Sequence, residues 1–161
     1  MSTPASTITG SIHDFDFLVG DWEVQNRRLV IRNAGSDEWD EFPARLHVEQ
    51  WLEGGVNIDE ITFTTKGFSG LTLRSFDRAA QRWSIYWINS TRGVVDPPVH
   101  GGFDGDHGSF FGDDIDDGLP VRVAFSWRNL GGNQARWEQS FSYDDGETWE
   151  TNWVMTFHRV A

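Results

Sequence analysis

The sequence predicts an all-β fold, an antiparallel meander of about nine or ten strands curled into a barrel, preceded by a short N-terminal helix. Three observations predict it. From Asp21 onward, short runs rich in β-branched and aromatic residues recur between turns of Gly, Asn, Asp and Ser. The last of these runs alternate strictly, one face apolar and the other charged, as strands with one buried side do. No long helical period appears, which excludes the alternating strand and helix of a parallel fold. Closing the sheet also removes the exposed edges that so many strands would leave.

Residues 1–10, rich in Ser, Thr, Pro and Ala, read as a disordered tail, and residues 11–161 as a single domain. HDFDFLVG, His13 to Gly20, spaces Phe15, Leu18 and Val19 as one or two helical turns that Gly20 stops. WEVQNRRLVI then sets Trp22, Val24 and Val30 on one parity, with Asn26 between them. HVEQWL, NIDEITFT, LTLRSF and RWSIYWI follow. In RWSIYWI, Tyr86 opposes Trp83, Ile85 and Trp87, so one of the two aromatic sets faces inward. DPPV, Asp96 to Val99, makes a stiff turn, and PVHGGFDGDHGSFFGDD reads as two short strands around a tight turn near Gly105. In VRVAFSW, Val121, Val123, Phe125 and Trp127 share a face; in ARWEQSFSY, Ala135, Trp137, Gln139, Phe141 and Tyr143 do. In TWETNWVMTF the apolar face takes Trp149, Thr151, Trp153, Met155 and Phe157, and Asn152 falls opposite.

Composition narrows the function. A chain of 161 residues suits one domain with a real core or a cavity. The net charge of −12 repels phosphate backbones and argues against nucleic acid. Without cysteine there are no disulfides, thiolate metal sites or thiol nucleophile. The polar N-terminus lacks a signal-peptide pattern and no apolar run approaches a membrane span, so a cytoplasmic protein with no membrane partner is expected. Nine tryptophans and twelve phenylalanines build a large apolar interior or line a pocket.

SYDDGETW, Ser142 to Trp149, matches the S-x-D-x-G-x-T-W phrase of sialidase propellers, but it occurs once in a chain too short for a propeller. Its physical content is a hairpin turn, in which Asp144 accepts backbone N–H groups and Gly146 supplies a positive φ. FLVGDW, Phe17 to Trp22, resembles the G-x-W opening of calycin barrels (lipocalins, fatty-acid-binding proteins and nitrobindins), in which the Trp closes one end. FDFLVGDWEVQNRRL, NIDE, LTLRSFD, WSIYWINS, DPPVHGGFDGDHGSFFGDD, ARWEQSFS and DGETWETNWVM together resemble the bacterial domain-of-unknown-function family 1579 over nearly the whole chain, Ile12 to Val160. The resemblance implies a calycin-like barrel with an internal cavity and implies no activity.

The chemistry-bearing residues suggest little beyond that container. The five histidines show no metal-ligand spacing, so no metal is expected. His47 and Glu49 could converge with another strand, and His158 sits late in the chain, where nitrobindins carry their haem ligand, but on the parity opposite Trp153 and Phe157. There is no phosphate-binding loop, nucleophile elbow or dinucleotide fingerprint. Asp59 shares parity with Asn57, Ile61 and Phe63, either as an acid–base group at the barrel mouth or as the ion-pair partner of an arginine such as Arg74. The leading expectation is therefore a barrel that binds a small, largely apolar or amphipathic molecule without a cofactor. Trp22, Trp87, Trp137 and Trp153 would supply the walls, and Asn57, Asp59, Arg74, Tyr86 and Gln139 the polar contacts. The alternatives are a cofactor-free cyclase, isomerase or dehydratase of a polyketide-like metabolite, using Asp59 or Tyr86, and a haem-binding protein. Whether the chain forms a homodimer stays open.

Overall fold

The computed structural model describes residues 8–160. Ten strands form one closed antiparallel barrel in which each pairs with its neighbours in sequence and β1 closes onto β10. They are β1 Gly20–Leu29, β2 Trp39–Trp51, β3 Val56–Phe63, β4 Phe68–Asp77, β5 Arg82–Asn89, β6 Val99–Asp104, β7 His107–Asp116, β8 Leu119–Asn129, β9 Gln134–Ser142 and β10 Glu150–Arg159. The expected short helix is one 3₁₀ turn, Asp16–Leu18. Of the expected tail, residues 1–7 lie outside those described, and Gly10 is fixed by donating to the Gln81 carbonyl at 2.8 Å. Among the described residues no helix is long and apolar enough to cross a membrane.

One end of the barrel is sealed by aromatic rings. Phe15, carried in by the turn before the 3₁₀ segment, meets Trp83 and Phe103 edge-on at 5.1 and 5.2 Å and stacks near Phe110 at 5.7 Å. Such edge-to-face pairs exploit the ring quadrupole as well as burial. Trp22 is buried beside them, donating Nε1–H to the Leu18 carbonyl at 2.8 Å. Arg159, from the last strand, lies over its ring at 4.2 Å and donates to the Val19 and Phe17 carbonyls at 2.6 and 2.5 Å. Gly20 makes this seal fit, because at φ +124° a Cβ there would lie 2.7 Å from the Arg159 guanidinium.

Alternation sorts the remaining side chains. Val121, Val123 and Trp127 of β8 and Ala135 and Trp137 of β9 join the interior cluster. On β5 the inward set is Trp83, Ile85 and Trp87, which places Tyr86 on the outer face. The last strand departs from the expected pattern. A bulge between Thr151 and Trp153 shifts the β9–β10 register, and an inserted residue reverses which side chains point inward beyond it. Asn152 is therefore buried, whereas Thr151 bonds Ser140 at 3.0 Å. Trp149 precedes the strand and stays 40 % exposed against Phe111 instead of lining the apolar side, and Val30 lies beyond β1, exposed.

Candidate functional site

Above the aromatic floor the barrel encloses a cavity of about 380 Å³, open at the end where β1 and β10 carry Arg28 and Trp153. That volume lies at the lower end of the ~300–1,000 Å³ typical of small-molecule sites. Its walls are Ile61, Ile85, Trp87, Phe125, Trp137 and Trp153, drawn from strands all round the ring. Trp87 lies against β4, where Gly70 leaves room for it: a Cβ on Gly70 would fall 1.9 Å from the indole.

Three polar groups interrupt the apolar lining. At its depth Arg74 donates from Nη2 to Asp59 Oδ2 at 2.6 Å, both side chains being 4 % exposed or less. From Nη1 it donates to Asn57 Oδ1 at 2.7 Å, and its guanidinium stacks between Phe15 and Trp127 at 5.1 and 5.5 Å. The β3–β4 register explains the pairing, because Asn57 sits directly opposite Arg74 and Asp59 one diagonal away, opposite Thr72. Complete burial pushes the Asp59 carboxyl above the usual carboxylate range, against the opposing pull of Arg74 and of its bonds to Thr72. On the β9–β10 wall, Gln139 Nε2 donates to Asn152 Oδ1 at 2.8 Å.

The mouth carries the third group, a ring of charges. Arg32 forks onto Asp116 through Nε at 3.1 Å and Nη2 at 2.6 Å, and Tyr143 donates its hydroxyl to the same carboxylate at 2.5 Å. Arg32 and Tyr143 together hold the Asp116 carboxyl below its ordinary value, and the same burial and carboxylate push the Tyr143 phenol up. Arg92 pairs with Asp96 at 3.0 Å.

Of the residues expected to form the site, Asp59, Arg74, Trp87, Trp137, Gln139 and Trp153 line this cavity. Trp22 lies in the seal below it, Asn57 is buried beside Arg74, and Tyr86 faces away. Lining residues outside the expected set include Arg28, Thr72 and Asn152. Arg28 follows Trp22, Val24 and Asn26 at even spacing, so the β1 alternation already carried the signal for it. Asn152 gave none, because its orientation depends on the bulge.

No histidine lines the cavity among the described residues. His158 is exposed on the outer face opposite Glu23. His47 does meet Glu49 and a residue of another strand, Asp21, at 3.3 and 2.6 Å, on the outer surface. Each ring nitrogen faces a carboxylate, which pushes the imidazole pKa up and favours the cation. Among the described residues no group of three or more His, Asp or Glu is arranged to hold a metal ion.

No protein-family model and no curated protein matches the chain. The likeness to family 1579 therefore rests on the sequence phrases alone, and function must be argued from the cavity.

Proposed function

We propose that this protein is a calycin-type barrel of family 1579, cytoplasmic, that holds one small, largely apolar molecule in its lumen. The observation that carries the reading is the 380 Å³ cavity, closed at one end, with walls of Trp, Phe and Ile and a few fixed polar side chains. Burial against such walls supplies affinity, and a small number of oriented polar groups selects the pose. Because the floor is sealed and the Arg74–Asp59 and Gln139–Asn152 pairs are fixed in place, the ligand meets a largely pre-formed site and little ordering cost is left to bind it.

Titration with N-phenyl-1-naphthylamine, a neutral apolar fluorophore, tests the proposal together with native mass spectrometry of the purified protein. Saturable binding of one probe per chain, or one co-purifying small molecule released on denaturation, supports it. A protein that does neither has no ligand site in the lumen.

One observation favours a second reading, a cofactor-free acid–base enzyme: Asp59 lines the cavity and burial raises its pKa. Its tight pairing with Arg74 favours binding over catalysis, and Tyr86 faces outside, which removes it from that chemistry. A turnover that survives Asp59→Asn in a folded variant would rule Asp59 out as the base.

A further inference from the structure

We propose that the ligand is an amphipathic organic acid whose anionic head is held by Arg28 at the mouth while its apolar body fills the lumen. This rests on the lumen-binding reading and adds the ligand's charge and orientation.

Four arginines line the cavity: Arg28, Arg32, Arg74 and Arg92. Three are neutralised in place, Arg32 by Asp116 at 2.6 Å, Arg74 by Asp59 at 2.6 Å and Arg92 by Asp96 at 3.0 Å. Arg28 has no ion pair and no side-chain hydrogen bond among the described residues. The carboxylate opposite it on β2, Asp40, is taken by Lys66 Nζ at 2.5 Å. A half-buried cation without a counter-charge is costly, and an incoming anion would remove that cost.

The guanidinium is also held ready. Its Cζ lies 4.9 Å from the centre of the Trp153 ring and 5.7 Å from that of Phe42. Asn26, two residues earlier on the same face, secures both neighbours: its Oδ1 accepts the Trp153 indole N–H at 3.0 Å, and its Nδ2 donates to the Phe42 carbonyl at 3.2 Å. With aromatic rings rather than carboxylates beside it, the guanidinium keeps its N–H groups available, the fork that matches a carboxylate. Burial and the repulsion of Arg32 both hold the Arg28 pKa below its ordinary value, with Asp40 opposing, as expected of an uncompensated cation.

The mouth is polarised as well. The lining carboxylate without an ion pair among the described residues, Asp114, lies on β7, four places round the ring from β1. Burial and the charges of Asp96 and Asp116 raise its pKa, while its bond from the Ile115 N–H and the field of Arg92 pull the other way. An anionic head is therefore repelled from the β7 side and attracted to the β1 side.

The test uses two competitors of equal length, decanoate and decanamide, displacing N-phenyl-1-naphthylamine from the intact protein. An apolar lumen alone would favour the neutral amide, since a carboxylate is costly to desolvate. An overall charge of −12 would also disfavour the acid. The inference expects decanoate to displace the probe at ~10-fold lower concentration than decanamide, the scale of one charge-assisted contact. Arg28→Gln should abolish that preference. Equal displacement by the two competitors on the wild-type protein overturns the inference and leaves the lumen site standing, and needs no variant to fold. A preference for decanoate that persists in Arg28→Gln assigns the anion elsewhere and also overturns it. Failure of the wild type to bind the probe at all removes the lumen reading, and this inference with it.

Discussion

Replacing Asp59 by Asn should destabilise the protein more than almost any other single polar substitution. The change keeps the shape and removes the charge, leaving the Arg74 guanidinium buried without a counter-ion. Arg74 cannot swing out to water, because Phe15 and Trp127 flank it at 5.1 and 5.5 Å and its Nη1 is held by Asn57. Breaking a buried pair by deleting one partner costs ~3–5 kcal/mol. For a domain of this size each kcal/mol lowers Tm by ~2–4 °C, so the expected fall is ~6–20 °C. Urea unfolding at neutral pH, followed by tryptophan fluorescence and far-UV circular dichroism, measures the free energy directly.

Deleting the pair entirely should be far milder. Burial already outweighs the attraction of Arg74 in setting the Asp59 pKa, so desolvation has consumed much of what the ion pair returns. Asp59→Leu with Arg74→Met removes both charges and leaves the Asn57 amide oxygen short of a donor, a residual cost of ~1–3 kcal/mol. The double variant should therefore be more stable than Asp59→Asn alone. A loss below ~1 kcal/mol in Asp59→Asn, or a double variant as unstable as the single one, would refute this account of the buried pair.

Gly70→Ala should weaken probe binding without unfolding the barrel, because the new Cβ would lie 1.9 Å from the Trp87 indole and push that ring into the lumen; unchanged affinity in a fluorescence titration would count against Trp87 as a wall. The Asp144 carboxyl accepts bonds from the Thr148 hydroxyl and amide and from Ser142, which hold its pKa down to about 2, below the ordinary carboxylate range. A depressed carboxylate stabilises the fold fully above its unfolded pKa and loses that contribution as pH falls through the folded value. Urea midpoints should therefore drop between pH 4 and 2, and Asp144→Asn should flatten that drop; parallel profiles would contradict it. Hydrogen exchange should be fastest, outside the terminal residues, in segment 86–98, because β5 and β6 share only the pairs from Trp83↔Gly101 to Ile85↔Val99. Equal protection there and in β7–β8 would argue against a weak seam.

The strands were legible because alternation and turn residues are local properties. Val121, Val123 and Trp127 point inward as their spacing requires, and the turn at Gly105 takes the positive φ of 61° that its residue permits. The Asp59–Arg74 pair was also within reach, since two charged residues on neighbouring apolar faces must answer each other. Two kinds of feature escaped. The bulge at Thr151 turns Asn152 inward and changes no letter of the pattern, so counting along TWETNWVMTF places Trp153, Met155 and Phe157 correctly but puts Thr151 and Asn152 on the wrong faces. Arg28 shared the inward parity of β1, but its significance depends on Asp40 being taken by Lys66, a contact across strands that no spacing within β1 contains.

The two ends of the barrel differ in what holds them, and this bears on how a ligand enters. The floor is sealed by rings and by Arg159 over Trp22. At the mouth, the loop after β1 is tied to β7 by the Arg32–Asp116 fork, to which Tyr143 of the last hairpin adds its hydroxyl. The loop between β5 and β6 has no comparable tie to β7 among the described residues. Its contacts run back to β4 and β5, through Ser90 with Ser69, the Asp96 amide with the Trp87 carbonyl and the Ile88↔Val95 bridge, or stay within it as the Arg92–Asp96 pair. Parting this loop from the rim breaks few bonds, whereas opening the β1 or β7 side breaks a strand ladder or the Arg32–Asp116 fork. In the strand order β6 stands five places from β1 in either direction, so this weak side lies directly across the ring from Arg28. A molecule entering there passes the Arg92–Asp96 pair, then the apolar walls, and meets an uncompensated cation on the far side. That order suits an apolar body with one acidic end better than a wholly apolar ligand, which would gain nothing from Arg28.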